Sequence, residues 1–178
     1  HAAEAMAKSR IGAIIVFEGI RRLVDMQHDD GGWGWWKTDG NHPFMTAYAV
    51  WGLDEARRAG VKVDGYRIDN GGRALARMYL TYPRAEPDLK MYMAYVLRRS
   101  MPDGDEVTSY GESGPVRYRH ADALEEVWSA RSRMSAFGRA LLLSLLDEAE
   151  DPRGDELAQA LAGEVETRGD LAWWPAAK

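Results

Sequence analysis

The stretch Met26-Gln27-His28-Asp29-Asp30-Gly31-Gly32-Trp33-Gly34-Trp35-Trp36, followed closely by Pro43-Phe44-Met45-Thr46-Ala47-Tyr48-Ala49-Val50-Trp51, decides how the chain is read. A helical pattern ends on a glutamine. Two glycines and three tryptophans follow, and then a proline that suits the first turn of a new helix. This is the pattern of a helical hairpin that pins its own loop with aromatic rings. A degenerate second copy, Gly169-Asp170-Leu171-Ala172-Trp173-Trp174-Pro175, lies near the end of the chain. Repeated hairpins of this kind build closed helical rings.

Working outward, residues 2–27 read as one long helix in which Ile14, Phe17, Ile20, Leu23 and Val24 share a face. Residues 29–41 are loop. Pro43 opens a helix to about Gly60, with Phe44, Ala47, Tyr48, Trp51 and Ala56 on its apolar side and Gly60 at the C′ position. A third helix is predicted over 70–82, with Asp69 as its cap and Leu75, Met78 and Tyr79 inward. Pro83 and Pro87 break the chain, and Pro87 starts a fourth helix to about Ser100 with Leu89, Met93, Val96 and Leu97 inward. Residues 101–119 are rich in Gly, Ser, Pro and charge; Val107, Thr108 and Tyr110 are β-prone and admit a short hairpin. Helices resume near Ala121, with Leu124, Val127 and Trp128 on one face, and again over 135–150. Asp151-Pro152 caps and starts a last helix to about Arg168, closed by Gly169. The expected class is all-α: about six to seven helices in one domain over residues 1–178, arranged as a partial ring of antiparallel helical hairpins, an α/α toroid.

A repeat supports that arrangement. Thr46-Ala47-Tyr48, Met93-Ala94-Tyr95 and Ser135-Ala136-Phe137 place an alanine before an aromatic, with alanines 47 and 42 residues apart. One helix pair per repeat has such a period. The competing reading is that Ala-aromatic pairs occur in any helical core.

Composition limits the rest. Apolar residues make up 46% of 178, enough for a core. The net charge of −5 disfavours a general phosphate-binding surface, so no nucleic-acid partner is expected. The basic pairs Arg57-Arg58 and Arg98-Arg99 lie near predicted helix ends, where they complement the helix dipole. The absence of cysteine removes disulfides, thiolate metal sites and a cysteine nucleophile. No run of about 18 apolar residues exists to cross a membrane, and Ile11 to Val16 is too short and too soon followed by charge to be a signal peptide. The chain begins inside a helical pattern and stops soon after Trp173-Trp174-Pro175, which reads as a piece of a longer protein.

The Gln-Asp-Gly-Gly-Trp arrangement resembles the QW-type motif of the α/α-toroid superfamily, which includes terpenoid cyclases, protein prenyltransferases and the thioester domains of the α2-macroglobulin and complement family. Within it, residues 30–36, 44–53, 56–61, 134–142 and 169–175 are similar to ordered blocks of the bacterial α2-macroglobulin family; 101–120 has no convincing counterpart. The resemblance implies an extracytoplasmic protein that traps proteases: a bait region is cut, the molecule collapses, and a reactive thioester captures the attacker. The thioester motif, Cys-x-Glu-Gln, is absent here, would lie upstream of His1, and is missing from some members. Gln27 has no nearby cysteine and is not its glutamine. The resemblance therefore implies a toroid segment with a structural and shielding role, no catalysis of its own, no cofactor, and as partners the other domains of the longer protein and target proteases.

The same residues bear on other chemistries. A hopene-type cyclase needs Asp-x-Asp-Asp, and Asp29-Asp30 lacks the spaced partner; these read as solvated loop carboxylates, or Asp30 as an Asx turn. Zinc through His28 and His42 lacks ligand spacing. A carbohydrate-active or terpenoid-cyclase-like enzyme would need a Trp-lined cleft with paired acids drawn from Asp39, Asp69 or Glu112. The structural assignment is Gln27, Asp30, Gly31, Gly32, Trp33, Trp35 and Trp36 holding the first loop, and Trp173 and Trp174 holding the second, with no catalytic, cofactor or metal residue.

Overall fold

A computed structural model describes residues 2–82, 85–101, 106–111, 114–168 and 170–175, without the side chains of 2–11 and 13. His1, Pro83, Glu112 and Gly169, each named above, lie outside the described residues. The fold is mostly α. Helices α1 (Ala2–Met26), α2 (Pro43–Arg58), α3 (Gly65–Thr81) and α4 (Pro87–Ser100) precede an antiparallel hairpin of β1 (Glu106–Gly111) and β2 (Gly114–Arg119). Then come α5 (His120–Ser129), a 3-10 turn (Arg131–Arg133), α6 (Ala136–Glu148), α7 (Arg153–Gly163) and a short hairpin of β3 (Glu166–Arg168) with β4 (Leu171–Trp173). Contacts group the chain into two units, His1–Leu75 and Ala76–Lys178, and the chain passes from one to the other within α3.

In the first unit α2 starts on Pro43, as its fixed φ favours, and ends ahead of Gly60, whose φ of +84° is open to glycine. Of the expected side Ala47 is buried, Trp51 and Ala56 are half-buried, and Phe44 and Tyr48 are exposed and stack on each other at 6.2 Å; Thr46, Val50, Leu53 and Asp54 are buried with Ala47 instead. The stripe is rotated because the small Ala47 and β-branched Val50 permit close approach, whereas the rings do not. The copies of the repeat motif differ. Ala47 and Ala94 are buried and Ala136 half-buried, while the following aromatic is exposed at Tyr48 and Phe137 and half-buried at Tyr95. Asp54 is fully buried, and Arg57 and Arg58 both reach its carboxylate, at 2.6 and 2.7 Å. The two arginines read as dipole partners thus neutralise a specific buried charge.

Helix α3 begins at Gly65, earlier than expected. Asp64, not Asp69, supplies the cap, its carboxylate accepting the Tyr66 N–H at 3.0 Å. Asp69 is exposed inside the helix. The glycines at 65, 71 and 72 lower helix propensity and hide this start; burial of Ile68 offsets them. On α1, Ile14 and Phe17 of the expected apolar face are exposed, and Ile20, Leu23 and Val24 are half-buried.

In the second unit α4 packs against α5 and α6, and α6 against α7. Met91, Met93, Val96 and Leu97 are fully buried. So is most of Lys90, whose ammonium donates to the Tyr79 carbonyl at 2.7 Å, pairs with Glu126 at 3.1 Å and lies 4.0 Å over the Tyr79 ring. A buried ammonium demands such compensation. Tyr79 meets Tyr118 of β2 edge-on at 5.0 Å, and burial pushes both hydroxyls well above the usual phenol range. Trp128 on α5 is half-buried under the guanidinium of Arg131, 3.9 Å from its ring, with that of Arg153 at 5.0 Å. Asp151 caps α7 through the Arg153 N–H, and the Arg153 guanidinium holds its carboxyl below the usual range. Helix α7 stops at Gly163, short of Arg168. Gly163 weakens the helix at this point, and the β-prone Val165 and Thr167 lead into the β3–β4 hairpin instead.

Asp88 of α4 accepts the Ser135 N–H at 3.0 Å at the start of α6, and a Cβ on Gly138 would overlap that carboxylate. Gly138→Ala should therefore lower stability by about 1–3 kcal/mol, whereas Gly52→Ala, whose Cβ meets nothing on the exposed side of α2, should raise it by about 0.5–1 kcal/mol. Urea denaturation of the two variants checks both signs.

Candidate functional site: an indole-pinned loop

The loop between α1 and α2 is organised from its backbone outward. The last carbonyls of a helix have no partner within it. Here the Leu23 carbonyl accepts the indole N–H of Trp33 at 2.8 Å, and Trp33 is 2% exposed. The Trp33 backbone is equally occupied. Its N–H donates to the Thr46 hydroxyl at 2.9 Å; its carbonyl accepts that hydroxyl at 3.1 Å and the His42 N–H at 2.8 Å. Thr46, fully buried one turn into α2, is a member of the site that the sequence reading placed only in the repeat.

Gln27 lies just past α1 and is 7% exposed. Its amide N–H donates to the carbonyls of Gly31, 2.9 Å, and Arg67, 3.0 Å, while its oxygen accepts from the Arg67 guanidinium at 3.2 Å. It thereby ties the loop to α3. Gly31 adopts φ +93°, and a Cβ there would meet the Asn70 carbonyl at 2.5 Å. Asp30 accepts the Gly32 N–H at 3.2 Å, an Asx turn, and the Asn41 side-chain amide at 2.5 Å. Gly71 of α3 lets the indole in: a Cβ there would stand 2.8 Å from Trp33 Cζ3 and 2.6 Å from Val50 Cγ2.

The three indoles of this loop differ. Only Trp33 is packed away; Trp35 is 58% and Trp36 72% exposed, against the expectation that all three rings pin the loop. The Trp35 N–H donates to Asp39 at 2.9 Å, and its ring meets that of His42 edge-on at 5.7 Å. The Gly-x-Gly spacing turns one side chain inward and leaves the next two beyond the reach of the core. At the other end of the chain, Trp173 lies in β4 and Trp174 just after it, both partly exposed. The Trp174 indole N–H donates to the Leu161 carbonyl of α7 at 2.8 Å. It bonds a helix-end carbonyl as Trp33 does, but without the burial.

No group of three or more His, Asp or Glu side chains among the described residues is placed to hold a metal. Of the acids weighed for an enzyme, Asp39 is engaged by the Trp35 backbone and Asp69 is exposed on α3, while Glu112 lies outside the described residues. An open cleft of about 650 Å³ lies between α6 and α7, lined by Leu143, Ser144, Asp147, Glu150 and Asp155 among others, with no aromatic side chain. Among the described residues, no helix is long and apolar enough to cross a membrane.

Truncation separates pin from ornament. Trp33→Ala should cost about 3–5 kcal/mol of stability, in the range for large buried aromatics, and Trp36→Ala less than about 0.5 kcal/mol. Thermal and urea melts of both variants measure the contrast.

No protein-family model matches the chain. Over 83 residues it is 34% identical to an alpha-2-macroglobulin of Thermotoga maritima, covering 47% of this chain and 5% of that protein. Its fold is similar to a part of native E. coli alpha-2-macroglobulin, with a TM-score of 0.61 and 26% identity over 85% of this chain and 9% of the other. It is also similar to Salmonella alpha-2-macroglobulin reacted with methylamine, with a TM-score of 0.60 and 23% identity over 84% of this chain and 10% of that one. The chain thus spans about a twentieth of the curated relative and about a tenth of the solved ones. In sequence and in fold, it is similar to a part of the bacterial alpha-2-macroglobulins.

Proposed function

We propose that this chain is a toroid segment of a thioester-type domain in an extracytoplasmic, protease-trapping protein. It serves there as architecture and shield and carries out no reaction. The observation that supports this reading most is the similarity of fold to E. coli alpha-2-macroglobulin across 85% of the chain at 26% identity. The chemistry of the loop agrees with it. Gln27, Asp30, Asn41 and Thr46 bond the loop to itself and to the helices around it, as a scaffold requires. Its partners would be the remaining domains of the longer protein and, through them, an attacking protease.

An E. coli relative has been solved in a trypsin-activated state. Exchanging the matching segment of that protein for residues 2–175 gives a direct test. The proposal expects a chimera that folds, is cleaved by trypsin and undergoes the same collapse in native gel mobility. A folded chimera that trypsin cuts without collapse would refute the architectural role. The purified chain should also show no turnover of polyprenyl diphosphates or acidic glycans; a genuine rate on either would replace this reading by an enzymatic one.

A further inference from the structure

His28 opens the pinned loop with its side chain 14% exposed. Its Nδ1 lies 2.7 Å from Asn41 Oδ1 and its Nε2 3.1 Å from the Trp36 carbonyl. The Asn41 amide is oriented by a separate contact: its nitrogen donates to Asp30 Oδ2. A carboxylate only accepts, so the amide nitrogen must face Asp30 and the amide oxygen must face the ring. The Trp36 carbonyl also only accepts. Each imidazole nitrogen therefore meets an acceptor, and only the imidazolium, with two N–H donors, satisfies both.

The charges around the ring agree. Asp39 Oδ1 stands 3.9 Å from Nε2 and makes no hydrogen bond of its own, while Oδ2 of the same carboxylate takes the Trp35 N–H. Asp30 acts on the ring through Asn41. The neighbouring cations are engaged elsewhere or carry no contact to it: the Arg67 guanidinium of α3 faces Gln27, and the His42 ring faces Trp35. Lys37, next to Trp36, and Asp29, next to His28, are exposed.

We propose that His28 is a proton-operated clasp on the outer part of the loop. Charged, it ties Trp36 and Asn41 to the end of α1. Neutral, it can hold one of them but not both, since turning the Asn41 amide to suit a lone pair would bring its oxygen against Asp30. Loss of the proton frees residues 35–41, with their two exposed indoles, and leaves the Trp33 pin in place. The clasp therefore holds where the ring carries both N–H groups and opens where it has lost one. The clasp operates whether or not the chain belongs to a protease trap.

Long-range ¹⁵N spectra of the imidazoles, with His28 assigned by comparison with His28→Gln, test this on the chain itself. At pH 5.5 the His28 ring should show two N–H signals in slow exchange with water. Between pH 5.5 and 8 the amides of residues 35–41 should lose roughly tenfold in protection factor, after correction for intrinsic exchange, while the Trp33 amide keeps its own. His28→Gln should abolish that pH dependence and His42→Gln should keep it. A ring with a single N–H at pH 5.5 would overturn the proposal, and so would an equal loss of protection in His28→Gln. If His28→Gln fails to fold, His28→Asn serves for assignment, and the wild-type ring spectrum decides.

Discussion

The bond between the Trp33 indole and the Leu23 carbonyl is the constraint on which the first unit depends. It supplies a partner to a carbonyl at the open end of α1 and fixes a large apolar ring over the loop. Once the ring is in place, little freedom is left to the backbone around it. The Trp33 N–H and carbonyl share the Thr46 hydroxyl, so the first turn of α2 is set by the same residue. Gly71 completes the arrangement by leaving space where any side chain would strike the indole or Val50. A loop of this length would otherwise lose on the order of 1–2 kcal/mol per ordered residue to conformational entropy. One buried indole and its bonds offset only part of that, so the closed loop also needs Gln27 and Asp30.

Gln27 has a different task from the indole. Its amide has a donor group and an acceptor, and both are turned to α3 and Gly31. Asp30 likewise divides its oxygens between the Gly32 N–H and Asn41. The result is a loop whose polar side chains mostly answer one another. The exposed rings of Trp35 and Trp36 lie outside this network and are held through their backbone, by Asp39 and by His28.

Much of this could be read in the residues. Pro43 and Pro87 mark the starts of α2 and α4 because proline is preorganised for a first helical turn, and Ser100 ends α4 as expected. Gln27, Asp30 and Trp33 stand out because a polar end, paired glycines and an indole have few uses together. What failed had physical causes. Spacing alone does not tell which of three nearby indoles turns inward: all three were expected to hold the loop, and only Trp33 does so from the core. The start of α3 was placed too late, at Asp69, because Gly65, Gly71 and Gly72 weaken the helical signal on either side of it. The end of α7 was placed too late because a polar helix and a polar hairpin share a composition. Two buried charges went unnoticed although the signal existed: Asp54 has arginines three and four residues on, and Lys90 interrupts an apolar run between Leu89 and Met91. Thr46 could not be found so, since its hydroxyl matters through Trp33, thirteen residues earlier.

The most direct measurement of the central constraint is hydrogen exchange of the individual tryptophan indole N–H groups, followed by NMR under native conditions. If Trp33 holds the loop, its indole proton exchanges only through unfolding of the first unit, as slowly as the amide of fully buried Leu53, while the indole protons of Trp35 and Trp36 exchange within the dead time. A Trp33 indole proton lost as quickly as that of Trp36, with the Leu53 amide still protected, would show that the helices hold together without the pin.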